Sequence, residues 1–393
     1  MGTSDERGFN LKVLLILSLG HLTTDIYQSS LPAVLPFLKD KLDLSYTAAG
    51  IIVMASSVSS SVIQPLFGFL SDKKEKPLLL PLGCLCAGAG FSLIPLSSSY
   101  AVILALVILS GLGVASYHPE GYRTAYFFTG ERKATGMSIF SVGGNLGFAL
   151  GPLVSLTFIT HAGFSALPAM ITFSLLFIAV LTAFWKRLAL PRAGKGERKE
   201  EREKAPRGTA LSLALIIAVV VMRSWTQFGL MTYIPFYFID YLKGDPAQAG
   251  RLLSVFLLGG VMGTLGGSPL ADRWGHKFYL TLSMLFTALV FPLIFMATGF
   301  LLFLTLGILG MVLISTFTVT IVMAQHLLPG NLGVASGLMV GFAIGTGGIG
   351  VTLLGIIADH VGVPFALKAI ILLPLAGLML SMLLRYPVKG SPS

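Results

Sequence analysis

Twelve apolar runs, each about 20 residues or longer, follow one another along this 393-residue chain and leave it few ways to fold. About 20 apolar residues in a helix match a hydrocarbon core of roughly 30 Å, where each backbone N–H and C=O must find its partner within the protein. Hydropathy and Gly/Pro punctuation predict helices near 11–38, 47–70, 77–97, 100–128, 134–160 and 165–187. A second set is predicted near 209–241, 247–271, 276–298, 300–326, 332–359 and 364–386. A β-barrel is excluded, because its strands would be short and alternating rather than continuously apolar. With 54% hydrophobic and 11% charged residues and a mean hydropathy of +0.85, the chain lacks the polar surface of a soluble domain. The expected fold class is therefore an all-α membrane protein whose first partner is the lipid bilayer.

The segment Met1 to Asn10 is polar, and His21 and Asp25 interrupt the run that follows, so the first segment reads as a retained helix rather than a cleaved signal. Cys84 and Cys86 sit two positions apart in an apolar stretch, where they read as buried thiols rather than a disulfide or metal pair.

Between the two sets of six lies "KRLALPRAGKGERKEEREKAPRG", which cannot bury in lipid. The expected organisation is a six-helix bundle over 1–187, a charged cytoplasmic linker over 188–208 and a second six-helix bundle over 209–393. The halves echo each other. "AAG" at 48–50 precedes an apolar helix and "SDKKEK", as "QAG" at 248–250 precedes one and "ADRWGHK", so Asp72 and Asp272 are offset by 200. "ATGMSIFSVGGNLG" from Ala134 likewise matches "ASGLMVGFAIGTGG" from Ala335. Parallel six-helix repeats build one large class of secondary transporters, with a central substrate cavity between the halves.

Lys and Arg cluster at the N-terminus, at Lys73, Lys74 and Lys76, at Arg132 and Lys133, in the linker, and at Arg273, Lys277, Arg385 and Lys389. The positive-inside rule then puts both termini and the linker in the cytoplasm of a cell bounded by the plasma (inner) membrane. So the net charge of +10 reads as a topology signal. Nucleic acid is not an expected partner, because Glu197, Glu200, Glu201 and Glu203 interrupt the basic linker.

Twelve helices in two repeats, with "GFLSDKKEK" after the second helix and "SPLADRWGHK" as its counterpart, resemble the major facilitator superfamily along nearly the whole chain. Gly68, Asp72, Lys73 and Lys76 match the signature turn, with Glu75 in place of its second Gly; Asp272, Arg273, Gly275 and Lys277 match its second copy, with Ser268 in place of the first Gly. "GGNLGFALGP" at 143–152 is similar to the Gly-rich fifth-helix motif of proton-exchanging exporters, although the fourth-helix Arg usual in them would fall near Val107. Within the superfamily, "GHLTTDIYQSSLPAVLPFL", "QPLFGFLSDKKEKPLLLPLG", "YHPEGYRTA" and "SVGGNLGFALGPL" resemble fosmidomycin-resistance-type exporters. That resemblance implies alternating access, export of a small molecule and no cofactor beyond the proton as coupling ion.

An ionisable group within lipid is costly, so each one calls for a role. His21, Asp25 and Gln28 are spaced i, i+4, i+7 and share one stripe of the first helix. Asp25 lies some 15 residues, roughly 20 Å, into the segment, and is read either as a proton carrier or as a permanently paired structural acid. His118, Glu120 and Arg123 are read as a cytoplasmic-side station, with Glu120 titrating, Arg123 attracting an anion and His118 relaying; the alternative is a salt-bridge cluster closing an inner gate. Glu120 and Arg123, at i, i+3, share a face, while His118 points about 160° away from Glu120 in an undistorted helix.

Arg223, with Gln227 at i+4, is the second-half cation placed to meet an anionic or polar substrate, or else to find a structural partner. Gln64 and Asn145 are candidate substrate contacts or interhelical hydrogen bonds. Gly68, Asp72, Lys73, Asp272 and Arg273 are expected to gate, and Gly147, Gly151 and Pro152 to let the fifth helix pack closely or bend. The leading expectation is a monomeric proton-coupled antiporter exporting a small polar or anionic compound. Proton symport or facilitated uptake is the alternative, and a transporter-like receptor a remote one. No H-E-x-x-H, Gly-x-Ser-x-Gly or P-loop occurs, which argues against an enzyme and against ATP bound to this chain.

Overall fold

The computed structural model describes residues 9–72, 77–130, 133–185, 188, 209–328, 335, 337–343 and 345–386. Lys73 and nearly all of the 188–208 linker lie outside the described residues, as does the side chain of Asp72. Eleven helices among the described residues are long and apolar enough to cross a bilayer. With α1 (Leu11–Leu42) they are α2 (Tyr46–Gly68), α3 (Leu79–Leu96), α4 (Tyr100–Phe127), α5 (Gly136–Ala162) and α6 (Phe164–Ala183). The second half contributes α7 (Ala210–Tyr241), α8 (Pro246–Trp274), α9 (His276–Phe295), α10 (Gly299–Leu327), α11 (Gly341–Val361) and α12 (Val363–Leu383). The twelfth, α1, is long enough at 32 residues, and the polar stripe of His21, Asp25 and Gln28 is what lowers its hydropathy.

The chain forms two compact units, Met1–Leu31 with Val58–Gly196 and Pro32–Ser57 with Glu197–Ser393. The division differs from the expected boundary in one respect: the end of α1 and the first half of α2 group with the second unit. Both break points fall at helix irregularities, Pro32 inside α1 and the π-helical turn Val58–Val62 inside α2. The reason for the grouping is close backbone approach. A Cβ on Gly50 would meet the Thr352 Cα at 2.6 Å, and one on Gly348 would meet the Met54 Cα at 2.3 Å, so α2 and α11 touch almost backbone to backbone.

In the first unit α5 lies on α1 in the same way, a Cβ on Gly147 meeting the Leu22 carbonyl oxygen at 2.2 Å. Ser30 Oγ donates to the Gly151 carbonyl at 2.9 Å across that seam. Small residues do this work because lipid tails are as apolar as leucine, and helices in a bilayer associate by close packing and hydrogen bonds rather than by escape from water. Leu176, Leu265 and Phe300 stand exposed, a liability in water and the ordinary outer surface of a protein in lipid.

Replacing Gly147 with Val should force α5 off α1 and cost about 1–3 kcal/mol. Gly266→Ala, whose Cβ would meet nothing within 4 Å, should leave the protein unchanged. Thermal melting of the purified variants checks this; equal melting of the two would contradict the packing described.

Candidate functional site

His21, Asp25, Gln64 and His118 come together in the first unit. The seam between α1 and α5 sets the first of them: Gly144 leaves room for the His21 ring, whose Nε2 lies 2.3 Å from where a Cβ would be. The ring stacks on Phe140 at 4.3 Å between centroids and meets His118 edge-on at 4.9 Å. His21 Nδ1 lies 3.0 Å from the Phe140 carbonyl oxygen. That oxygen can only accept, so Nδ1 carries hydrogen and the Nε2 of the neutral ring is a lone pair. Nε2 faces Asp25 Oδ2 at 3.4 Å.

On the other side, Gln64 Nε2 donates to the Ser60 carbonyl at 2.8 Å and lies 3.4 Å from His118 Nδ1. With Nδ1 accepting from the amide, His118 carries its hydrogen on Nε2, which donates to Asp25 Oδ1 at 2.8 Å. Gln28 Nε2 donates to Ser60 Oγ at 3.3 Å, tying the α1 stripe to the same turn. His118 thus has a hydrogen-bond partner at each ring nitrogen, whereas His21 Nε2 meets Asp25 at the longer 3.4 Å. One proton between them would turn a 3.4 Å contact into a charge-assisted bond of about 2.7–2.9 Å. The His21, Asp25 and His118 donor atoms all lie within 4.8 Å of one another, near enough to share a metal ion, which would displace the proton between His118 and Asp25.

Arg123 Nη1 pairs with Glu120 Oε1 at 3.4 Å, and Glu120 is fully buried. The expected grouping of His118 with this pair is not what the structure shows. His118 turns to Asp25, as its roughly 160° offset from Glu120 around the helix requires.

In the second unit Arg223 is buried, its Nη1 3.5 Å from Thr316 Oγ1 and its guanidinium 5.6 Å from the centre of the Phe317 ring. Gln227 lies half-buried one turn further along α7, and Asn145 is exposed on α5. A Cβ on Gly68 would meet Pro119 of α4 at an ordinary 3.7 Å, and Pro152 lies inside α5. Asp272 and Arg273 are exposed at the end of α8, with His276 Nε2 3.3 Å from Asp272 Oδ1. Beside them a cavity of about 710 Å³ is lined by Trp274, His276, Lys277, Phe278, His326 and Tyr386, among others. Burial pushes the Tyr386 hydroxyl up to about 12, so it stays protonated where it shares a 2.8 Å hydrogen bond with His326 Nδ1.

Sequence reasoning missed a polar cluster in the second unit. Asp359 of α11 accepts from the backbone N–H of Tyr46 at 2.7 Å and of Thr47 at 2.9 Å, and from the Thr47 hydroxyl at 2.6 Å. It caps α2 from another helix. Asp240 accepts from the Tyr46 hydroxyl at 2.5 Å and pairs with Lys39 at 3.5 Å. The only available signal was that Tyr46 and Thr47 open a helix without an acidic cap of their own.

The family model of the Major Facilitator Superfamily matches residues 17–340 and 216–393. The chain belongs to that superfamily. It is 34% identical to an uncharacterized MFS-type transporter, YfnC of Bacillus subtilis, over 93% of this chain and 91% of that protein. To the fosmidomycin resistance protein of Escherichia coli it is 33% identical, again over 93% and 91%. Among solved structures, a bacterial homolog of the human lysosomal transporter Spinster, inward-facing and unoccupied, superposes with a TM-score of 0.76 at 13% identity over 97% of each chain. The protein is accordingly a multi-pass membrane transporter of the superfamily's twelve-helix architecture, and not an enzyme.

Gln64→Leu should release His118 from its single tautomer. Histidine 15N NMR, with the signal assigned through His118→Gln, should show one Nε2–H form in the parent and a mixture in the variant; an unchanged spectrum would disprove the role given to Gln64.

Proposed function

We propose that this transporter is a proton-coupled antiporter that exports a small polar or anionic compound from the cytoplasm. One observation carries the reading: His21 Nε2 and Asp25 Oδ2 face each other at 3.4 Å inside the protein, a pair that one proton would join. His118, fixed as a donor to Asp25, holds the carboxylate in place, and Glu120 with Arg123 supplies a second ionisable pair on α4. A carboxyl group enclosed by protein and able to exchange a proton is what coupling to a gradient demands. The name of the Escherichia coli relative supports export and makes fosmidomycin the first compound to try. In this reading the turns bearing Asp72 and Lys73 and bearing Asp272 and Arg273 act as gates, with Gly68 beside the first. Gly147, Gly151 and Pro152 let α5 move against α1 during alternating access. The protein works as a monomer in the plasma membrane, with both termini in the cytoplasm.

One observation favours symport instead. The first unit's site carries a net negative charge through Asp25, and the second unit carries Arg223; a proton and an anion bound together would neutralise both.

Everted vesicles separate the two readings. In antiport, adding the compound outside vesicles with a preformed, inside-acid gradient dissipates that gradient; in symport it does not. Asp25→Asn and His21→Gln should each lower the antiport signal roughly tenfold or more at unchanged protein levels. Full proton movement in both variants would falsify the assignment.

A further inference from the structure

We propose that Arg223 is an anion-binding centre, and that the compound carried presents to it a carboxylate, a phosphonate or another anion with at least two oxygens. This deepens the transport reading by naming a class of cargo, and it rests on that reading only for the step from bound anion to cargo.

Arg223 lies 13 residues past the start of the 32-residue α7, about 20 Å along the helix and near its middle. It is 3% exposed. A guanidinium has five N–H donors, and here the single hydrogen bond among the described residues is the 3.5 Å contact to Thr316 Oγ1. Its Nε is buried without an acceptor. No carboxylate among the described residues lies within 4.0 Å of it.

The sequence shows why none does. From Ala210 to Leu383 the acids are Asp240, Asp245, Asp272 and Asp359, and each is engaged elsewhere. Asp240 lies 17 residues, about 25 Å, further along the same helix, and it pairs with Lys39 and Lys243. Asp245 caps α8 and pairs with Arg251, Asp272 contacts His276, and Asp359 holds Tyr46 and Thr47. Among the described residues Arg223 is therefore a buried cation with no carboxylate partner, an arrangement that low-dielectric surroundings penalise heavily.

Nε and an Nη together form a planar fork that matches two oxygens of one anion, which a monatomic ion cannot exploit. Thr316 borders the fork, Phe317 covers one face of it, and Gln227 at i+4 offers an amide on the same stripe. The neighbours therefore favour an oxyanion carried on a small, partly apolar body.

The test uses the purified full-length protein and four probes: propylphosphonate, butyrate, the neutral butyramide, and chloride. Propylphosphonate and butyrate should raise the melting temperature, whereas butyramide should not and chloride should act more weakly. Arg223→Gln should weaken binding of both oxyanions roughly tenfold or more, and Arg223→Lys should retain part of it. A second readout needs no ligand. Unliganded Arg223→Gln should melt at or above the parent, because it removes an unpaired buried charge. The proposal is overturned if Arg223→Gln binds the oxyanions like the parent, if butyramide matches butyrate, if neither oxyanion stabilises the parent, or if unliganded Arg223→Gln melts well below it. Neither measurement involves a gradient. Anion binding without proton movement in vesicles would remove the coupling and leave this site standing; proton movement without anion binding would do the reverse.

Discussion

Inside a bilayer no water is present to finish an incomplete hydrogen bond, and the rest of the structure follows from that. Helices must meet closely enough for side chains on one to serve the backbone of another, and they have no escape from water to drive them together. The glycine seams answer both needs. Where α5 rests on α1, Gly144 does not merely save space: it admits the His21 ring to within reach of the Phe140 carbonyl. The packing of two helices thereby decides which imidazole nitrogen carries hydrogen, and so which lone pair meets Asp25.

A local break in regular helix does the same for the other histidine. The π-helical turn Val58–Val62 contains Ser60, whose carbonyl takes a hydrogen bond from the Gln64 side chain. That bond orients the amide, and the amide orients the proton of His118. Such turns are rare and gather at functional sites, and here a reason is visible. The turn therefore joins α2 to the hydrogen bonding of His118 and Asp25.

How much of this was legible in the sequence depends on range. The helix extents were, because an apolar run of fixed length is a local property; α1 runs on past the expected end near 38 to Leu42. The Glu120 and Arg123 pair was also legible, since i, i+3 spacing alone brings the two together. The angular offset of His118 from Glu120 said where His118 does not point, but could not name Asp25, 93 residues away. Nothing local announced Asp359 as the cap of a helix beginning 313 residues earlier. The π-turn is likewise invisible in the sequence, because the three serines and two valines of Val58–Val62 fit an α-helix and a π-helix equally well.

The two units differ in how they treat buried charge. In the first, acids and bases are arranged within bonding distance, and a count of donors and acceptors leaves His21 Nε2 facing Asp25 Oδ2 at 3.4 Å. In the second, the four acids between Ala210 and Leu383 are engaged away from Arg223, so the same count, among the described residues, leaves the Arg223 Nε without an acceptor. A structural ion network would have closed both counts, because leaving either open costs stability that packing must offset. Natural sequences keep such open counts where an outside species completes them. In the proposed reading a proton fits the first, by the 3.4 Å gap between His21 and Asp25, and an oxyanion fits the second, by the fork of Arg223. The species that a transporter of this kind must bind and release are thus indicated by which partners its own side chains leave unprovided.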